Sequence, residues 1–222
     1  MIKKPPQPAP KRSDSQQIVS AVIAAAVELG PDTPLVLIAE RAGVGIASLH
    51  RYFPTTAALF AEVSREMYRT LLHQVREIIA RGDDISTTIT EVCRVVITEP
   101  RLSVAHRRRL SFDVPLEWSR DVAEQAYRDL LQEVTGWLRS RLPVCPPDLE
   151  DRVFVAFSAV RGAVLVSLLF PDISPPEERL IPQVSLCVAR TLGFGDGENL
   201  AADPARAMRS RPRKSPPKSK DS

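Results

Sequence analysis

Apolar residues recur every three to four positions along most of the chain, in blocks separated by Gly, Pro and Asp. That spacing predicts helices rather than strands. Ile18, Val22, Ala25, Ala26 and Leu29 share one face of a first helix, from about Asp14 to Leu29, which Gly30-Pro31 stops. A second, short helix is predicted over 34–41, with Thr33 as its cap and Pro34 as its first residue. A third follows over 45–51. Pro54 then breaks the chain, and Thr55 caps a long fourth helix that runs to about Arg81. Its stripe is Leu59, Phe60, Val63, Met67, Leu71, Val75 and Ile78. At 1.5 Å per residue it is ~40 Å long, enough to start in one domain and end in another. Five more helices are predicted over about 84–98, 101–112, 117–142, 148–169 and 176–192, each ended by Pro or Gly. No internal repeat and no strand-like alternation are found. The expected fold class is all-α, with about nine helices.

The segment LVLIAERAGVGIASLHRYFPTTAALF, from Leu35 to Phe60, carries the most information. Ala39 is small where two helices must cross closely. Gly43 can take the left-handed conformation that ends the second helix. Val44 and Leu49 place apolar contacts under the third. Two short helices joined by a Gly-containing turn form a helix-turn-helix, which presents its second helix to the major groove of DNA.

IAERAGVGIASLHRYF, the following TTAALF and the preceding IVSAVIAAAVELG resemble the DNA-binding segment of the tetracycline-repressor (TetR/AcrR) family of bacterial regulators. The likeness covers about residues 14–62, and helical character carries it to about residue 195. Three positions depart from the family pattern. Gly45 stands where the family usually has Ser, His50 where it has Tyr, and Thr56 where it has a phosphate-touching Lys. The resemblance implies a C-terminal ligand-binding domain and a dimer joined by a four-helix bundle. The expected organisation is a disordered basic arm (1–13), a three-helix DNA-binding domain (14–60), an effector-binding and dimerisation domain (61–195) and a disordered basic tail (196–222).

The third helix is the expected reading helix. Gly45, Ile46, Ala47, Ser48, His50, Arg51 and Tyr52 should be exposed, with Leu49 and Phe53 turned inward. Arg51 can reach a guanine edge or a phosphate, Ser48 and His50 can donate to bases or phosphates, and Ile46 and Ala47 can touch thymine methyl groups. Tyr52 can bond a phosphate. Backbone amides at Thr55 and Thr56, at the start of the fourth helix, can hold another.

Charge complicates this expectation. The net charge is +3, yet all six lysines lie in the tails, and residues 13–200 carry 19 arginines against 25 acidic residues. Residues 13–60 hold only Arg41 and Arg51 against Asp14, Glu28, Asp32 and Glu40. A DNA-binding domain normally presents a basic footprint. The arm, with Lys3, Lys4, Lys11 and Arg12, is the expected source of the missing charge, and modest affinity is expected unless it engages.

In the second domain Phe112, Trp118, Tyr127, Trp137, Phe154 and Phe157 gather aromatic area into helices 6–8. They suggest either an effector pocket or ordinary core packing. Trp118, just after a Pro-containing loop, is the preferred pocket residue, with His106 and Arg161 as polar candidates. Arg161 interrupts VFVAFSAVRGAVLVSLLF, so its charge needs a partner. That stretch is apolar nearly all round, which one small subunit could not cover, and Gly162 and Ala163 allow close helix contact. Residues 148–192 are the expected homodimer interface. Arg107-Arg108-Arg109 is expected to be a solvated face.

Cys93, Cys145 and Cys187 are too widely spaced for a metal site or a disulfide framework. No phosphate loop, metalloprotease or nucleophile-elbow signature is found, so neither an enzyme nor a cofactor is expected. The N-terminus has no secretory h-region, and the longest apolar run, Ala163–Phe170, is far short of the ~20 residues that span a bilayer. The expected location is the cytoplasm, without membrane contact. The function these readings support is a homodimeric, ligand-responsive DNA-binding transcriptional regulator. It would be a repressor on a palindromic operator, released by a small molecule. The alternative is a helical small-molecule- or partner-binding protein whose DNA head has lost specific binding.

Overall fold

The computed structural model describes residues 12–99 and 101–194, with side chains from Ser15 onward. The expected tail lies outside the described residues, as does the expected arm apart from its last two positions. Among the described residues all regular structure is helical: α1 (Arg12–Leu29), α2 (Leu35–Arg41), α3 (Ile46–Tyr52), α4 (Thr56–Ala80), α5 (Ile85–Thr98), α6 (Val104–Phe112), α7 (Leu116–Arg141), α8 (Leu149–Leu169) and α9 (Glu177–Leu192). The largest boundary change is at α6. It starts at Val104 because Ser103 caps it by accepting from the His106 amide at 3.2 Å. Asp84 caps α5 in the same way, and Thr55 caps α4 through the Ala58 amide at 3.1 Å.

Thr33 does not cap α2. Its hydroxyl donates back to the Leu29 carbonyl at 3.1 Å, and Pro34 takes the cap position without a side-chain bond. Thr33 thereby ties the end of α1, where Gly30 at φ +92° turns the chain.

Two buried apolar clusters hold the molecule together. The smaller joins α1, α2, α3 and the start of α4 around Val22, Ile38, Leu49, Leu59 and Phe60, with Trp118 and Leu110 packed against its edge. The larger is centred on α8, whose inward stripe is Val153, Ala156, Val160, Val164 and Leu168. Both draw on α4 and α7, which pack along each other and run from one cluster to the other.

α8 corrects one expectation. At 21 residues and a mean hydropathy of 1.8 it is long and apolar enough to cross a membrane, although no unbroken apolar run is. Arg161 splits its sequence but not its helix. Its inward stripe packs against α5, α7 and α9. Its outer face leaves Phe154, Val155, Val166 and Leu169 exposed.

Candidate nucleic-acid interface and ligand cavity

α3 is seated by Leu49, which is fully buried, and by Phe53 just beyond its end. The turn before it is set by Gly43 at φ +67°, where a side chain would be strained, and by the Val44 amide donating to the Ala39 carbonyl at 3.0 Å. Apolar seats on one face leave the other open. Gly45, Ile46, Ala47, His50 and Arg51 are exposed, and Ser48 and Tyr52 are half-buried. The 25-residue α4 starts four positions after the end of α3, with Thr55 exposed and Thr56 half-buried. The nine residues singled out from sequence are therefore all exposed or half-buried.

The two basic side chains of this region are engaged. The Arg51 guanidinium lies 4.9 Å from the centre of the Tyr52 ring, and its Nη2 donates to the Tyr52 hydroxyl at 3.0 Å. That hydroxyl donates to Ser15 Oγ on α1, also at 3.0 Å. Contact with Ser15, and then the Arg51 charge, hold the phenol below its ordinary pKa. Tyr52 is thus a tie between α3 and α1 as well as a candidate DNA contact. Arg41 pairs with Glu28 at 2.6 Å.

The ligand candidates do not come together. Trp137 and Phe157 line a cavity of about 60 Å³ in the larger cluster, walled by α4, α5, α7, α8 and α9. Tyr127 stands behind Phe157 with an edge-to-face contact at 5.1 Å, and Tyr68 of α4 continues the row at 6.1 Å. Burial pushes the Tyr68 phenol up, Tyr127 adds to this and the Arg161 charge partly offsets it. Trp118 lies elsewhere. It packs on Phe60, ring centres 6.3 Å apart, at the edge of the smaller cluster. Phe112 and Phe154 are exposed, and His106 is half-buried on α6; none of these three lines the cavity. The cavity wall comes instead from aliphatic residues and Cys93, which aromatic content could not flag. Burial raises the Cys93 thiol to about 11, so it stays neutral.

Sequence reasoning also missed a joint between the clusters. The Arg107–Arg109 run is not uniformly solvated. Arg107 is largely buried, donating to the Ile97 carbonyl and reaching Glu177 of α9 at 3.4 Å. Arg109 donates to the Glu28 carbonyl of α1 at 2.6 Å. Its side chain lies across Gly30, where an added Cβ would sit 2.5 Å from Arg109 Cδ. α6 thus ties α1 to α5 and α9. No local pattern marks the joint, because Arg109 and Glu28 are 81 residues apart. Among the described residues no three His, Cys, Asp or Glu side chains converge as metal ligands.

Residues 19–63 match the family model for bacterial regulatory proteins of the tetR family. No curated protein matches the chain in sequence. Solved structures share its fold. A transcriptional regulator from Rhodococcus sp. is 22% identical, with a TM-score of 0.62 over 80% of this chain and 95% of that one. FadR from Bacillus subtilis, determined in complex with stearoyl-CoA, is 15% identical, with a TM-score of 0.62 over 82% of this chain and 99% of that one. SmeT, the repressor of a Stenotrophomonas maltophilia multidrug efflux pump, is 17% identical, with a TM-score of 0.58 over 79% and 88%.

Proposed function

We propose that this chain, a TetR-family protein by its N-terminal segment and its fold, is a non-enzymatic, cytoplasmic transcriptional regulator. It acts as a homodimer, represses from a palindromic operator and is released by a small molecule. The observation that carries this reading is the surface of α3, seated from below by Leu49 and Phe53 and open above from Gly45 to Arg51. Ile46 and Ala47 meet thymine methyls there, while Ser48, His50 and Arg51 supply polar contacts. The amides at Thr55 and Thr56 take a phosphate at the N-terminus of α4.

The exposed apolar residues of α8, with Leu186 of α9, support pairing with a second copy. Two reading helices would then lie about one DNA turn apart, ~34–36 Å, matching a palindrome. The cavity beside Trp137 and Phe157 supports effector entry, and α4 and α6 are the elements that carry its effect to the head. Arg51 must leave the Tyr52 ring to reach a base, and Arg41 is held by Glu28. These engagements favour a head that needs residues 1–12 for affinity. They also motivate the second reading, a ligand-binding protein whose head no longer binds DNA specifically.

Selection of bound sequences from a random duplex pool separates the two, with the full chain set against one lacking residues 1–12. A palindrome recovered by the full chain supports the regulator, and its loss without the arm locates the missing charge. No enrichment by a folded dimer, with or without the arm, transfers the case to the second reading.

A further inference from the structure

A chain of three polar groups runs from the last turn of α3 to α1. Arg51 Nη2 donates to the Tyr52 hydroxyl at 3.0 Å, and that hydroxyl donates to Ser15 Oγ at 3.0 Å. A hydroxyl carries a single hydrogen, so Tyr52 has none left for a phosphate. Accepting from a guanidinium also polarises the O–H and strengthens its bond to Ser15. Ser15 is half-buried near the start of α1, 37 residues from Tyr52 in the chain.

This chain of bonds holds Arg51 in one place. Its guanidinium lies over the Tyr52 ring, 4.9 Å from the centre, and one of its five N–H groups goes to the hydroxyl. Bidentate readout of a guanine needs a fork free to turn in the groove, and this one is fixed at one nitrogen and along one face. Its charge is a second indication. Of the two arginines in residues 13–60, Arg41 is neutralised by Glu28 at 2.6 Å. Among the described residues the partner of Arg51 is a neutral phenol, which leaves the charge uncompensated on an exposed side chain. Position is a third. Arg51 stands one residue before the end of α3, whereas the N-terminal residues of a reading helix are the ones that meet base edges.

We infer that Arg51 contacts a DNA phosphate and not a base, and that Ser15 is the positioning residue that holds it there through Tyr52. This rests on the proposed reading of the head as a DNA-binding surface and divides the roles on it. Ile46, Ala47, Ser48 and His50 carry the sequence preference. Arg51 adds affinity that is alike on every sequence, because phosphate contacts hold no base information.

Binding to a duplex of arbitrary sequence tests this without an operator. Arg51→Ala should make the plot of log Kd against log salt shallower by about 0.9, the counterion release of one phosphate contact. Ser15→Ala should weaken the same binding about two- to tenfold, the effect of one hydrogen bond. It should cost nothing further in an Arg51→Ala background, and Ser15→Thr, which keeps the hydroxyl, should bind as the wild type does. A Ser15 that only fastens α1 to α3 would cost the same in both backgrounds. In selection from a random duplex pool, Arg51→Ala should recover the wild-type motif with every base preference intact. An unchanged salt slope, loss of a guanine preference at one position, or an equal cost of Ser15→Ala in both backgrounds would overturn the proposal. If the slope changes as expected but no motif is enriched, specific regulation fails while the phosphate contact stands. A recovered motif with an unchanged slope keeps the regulator and sinks this inference alone. No binding to any duplex at low salt sinks both.

Discussion

Trp118 and Trp137 sit on the same helix, 19 positions apart or ~28 Å along α7, and they belong to differently built interiors. Trp118 closes the edge of a cluster in which Val22, Ile38, Leu49, Leu59 and Phe60 are all fully buried. Trp137 faces a cluster that keeps a cavity and an unpaired donor. A head that must hold a reading helix in one pose gains from close packing. A domain that must admit a ligand needs a place where packing is incomplete. The two are joined along α4 and α7 and through α6, where Trp118 meets Phe60 and Arg109 meets the end of α1.

The largest expected effect breaks the tighter side. Phe60→Ala should cost about 3–5 kcal/mol in urea unfolding, because the close-packed head cannot collapse around the void. Leu130→Ala, beside a cavity that already exists, should lie nearer ~2 kcal/mol. Equal costs would mean that the two interiors are packed alike.

The joint comes next. Gly30→Ala should cost about 2–3 kcal/mol in thermal melts, from the positive φ and the clash with Arg109. In an Arg109→Ala background only the backbone part should persist, ~1–2 kcal/mol. A cost unchanged by Arg109→Ala would separate Gly30 from the joint.

Cys93 sharpens the comparison through pH. Its folded pKa is raised to about 11 from an ordinary 9.0, so folding favours the neutral thiol. That contribution is complete below about pH 8.5 and is lost as pH rises through about 11, because the unfolded chain releases the proton first. Stability should fall by about 2 kcal/mol over that window, and Cys93→Ala should remove this part of the slope. Exposed Cys145 and Cys187 should react with a thiol reagent in the folded protein, well before Cys93.

Smaller still is Ala156→Leu, which should fill the cavity and stabilise by ~1 kcal/mol in urea unfolding. Arg41→Ala, which removes an exposed ion pair with Glu28, should change stability by about 0.5 kcal/mol or less in the same melts.

Periodicity and punctuation by themselves determined the helices, the Gly43 turn and the open face of α3. Those features depend on neighbours within one or two turns, so spacing and residue type suffice to place them. They did not place the Thr33 hydroxyl, because a cap and a back-bond to Leu29 use the same residue in the same position. Nor did they separate Trp118 from Trp137. Both are large aromatics on one amphipathic helix, and only the elements packed against each end of α7 decide that one seals the head and the other borders a cavity. The joint from Arg109 to Gly30, the hold of Tyr52 on Arg51 and the unpaired Trp137 Nε1 were likewise decided by tertiary structure. A hydrogen bond needs its donor and acceptor within about 3 Å, and segments far apart in the chain meet at that distance only once the helices have packed.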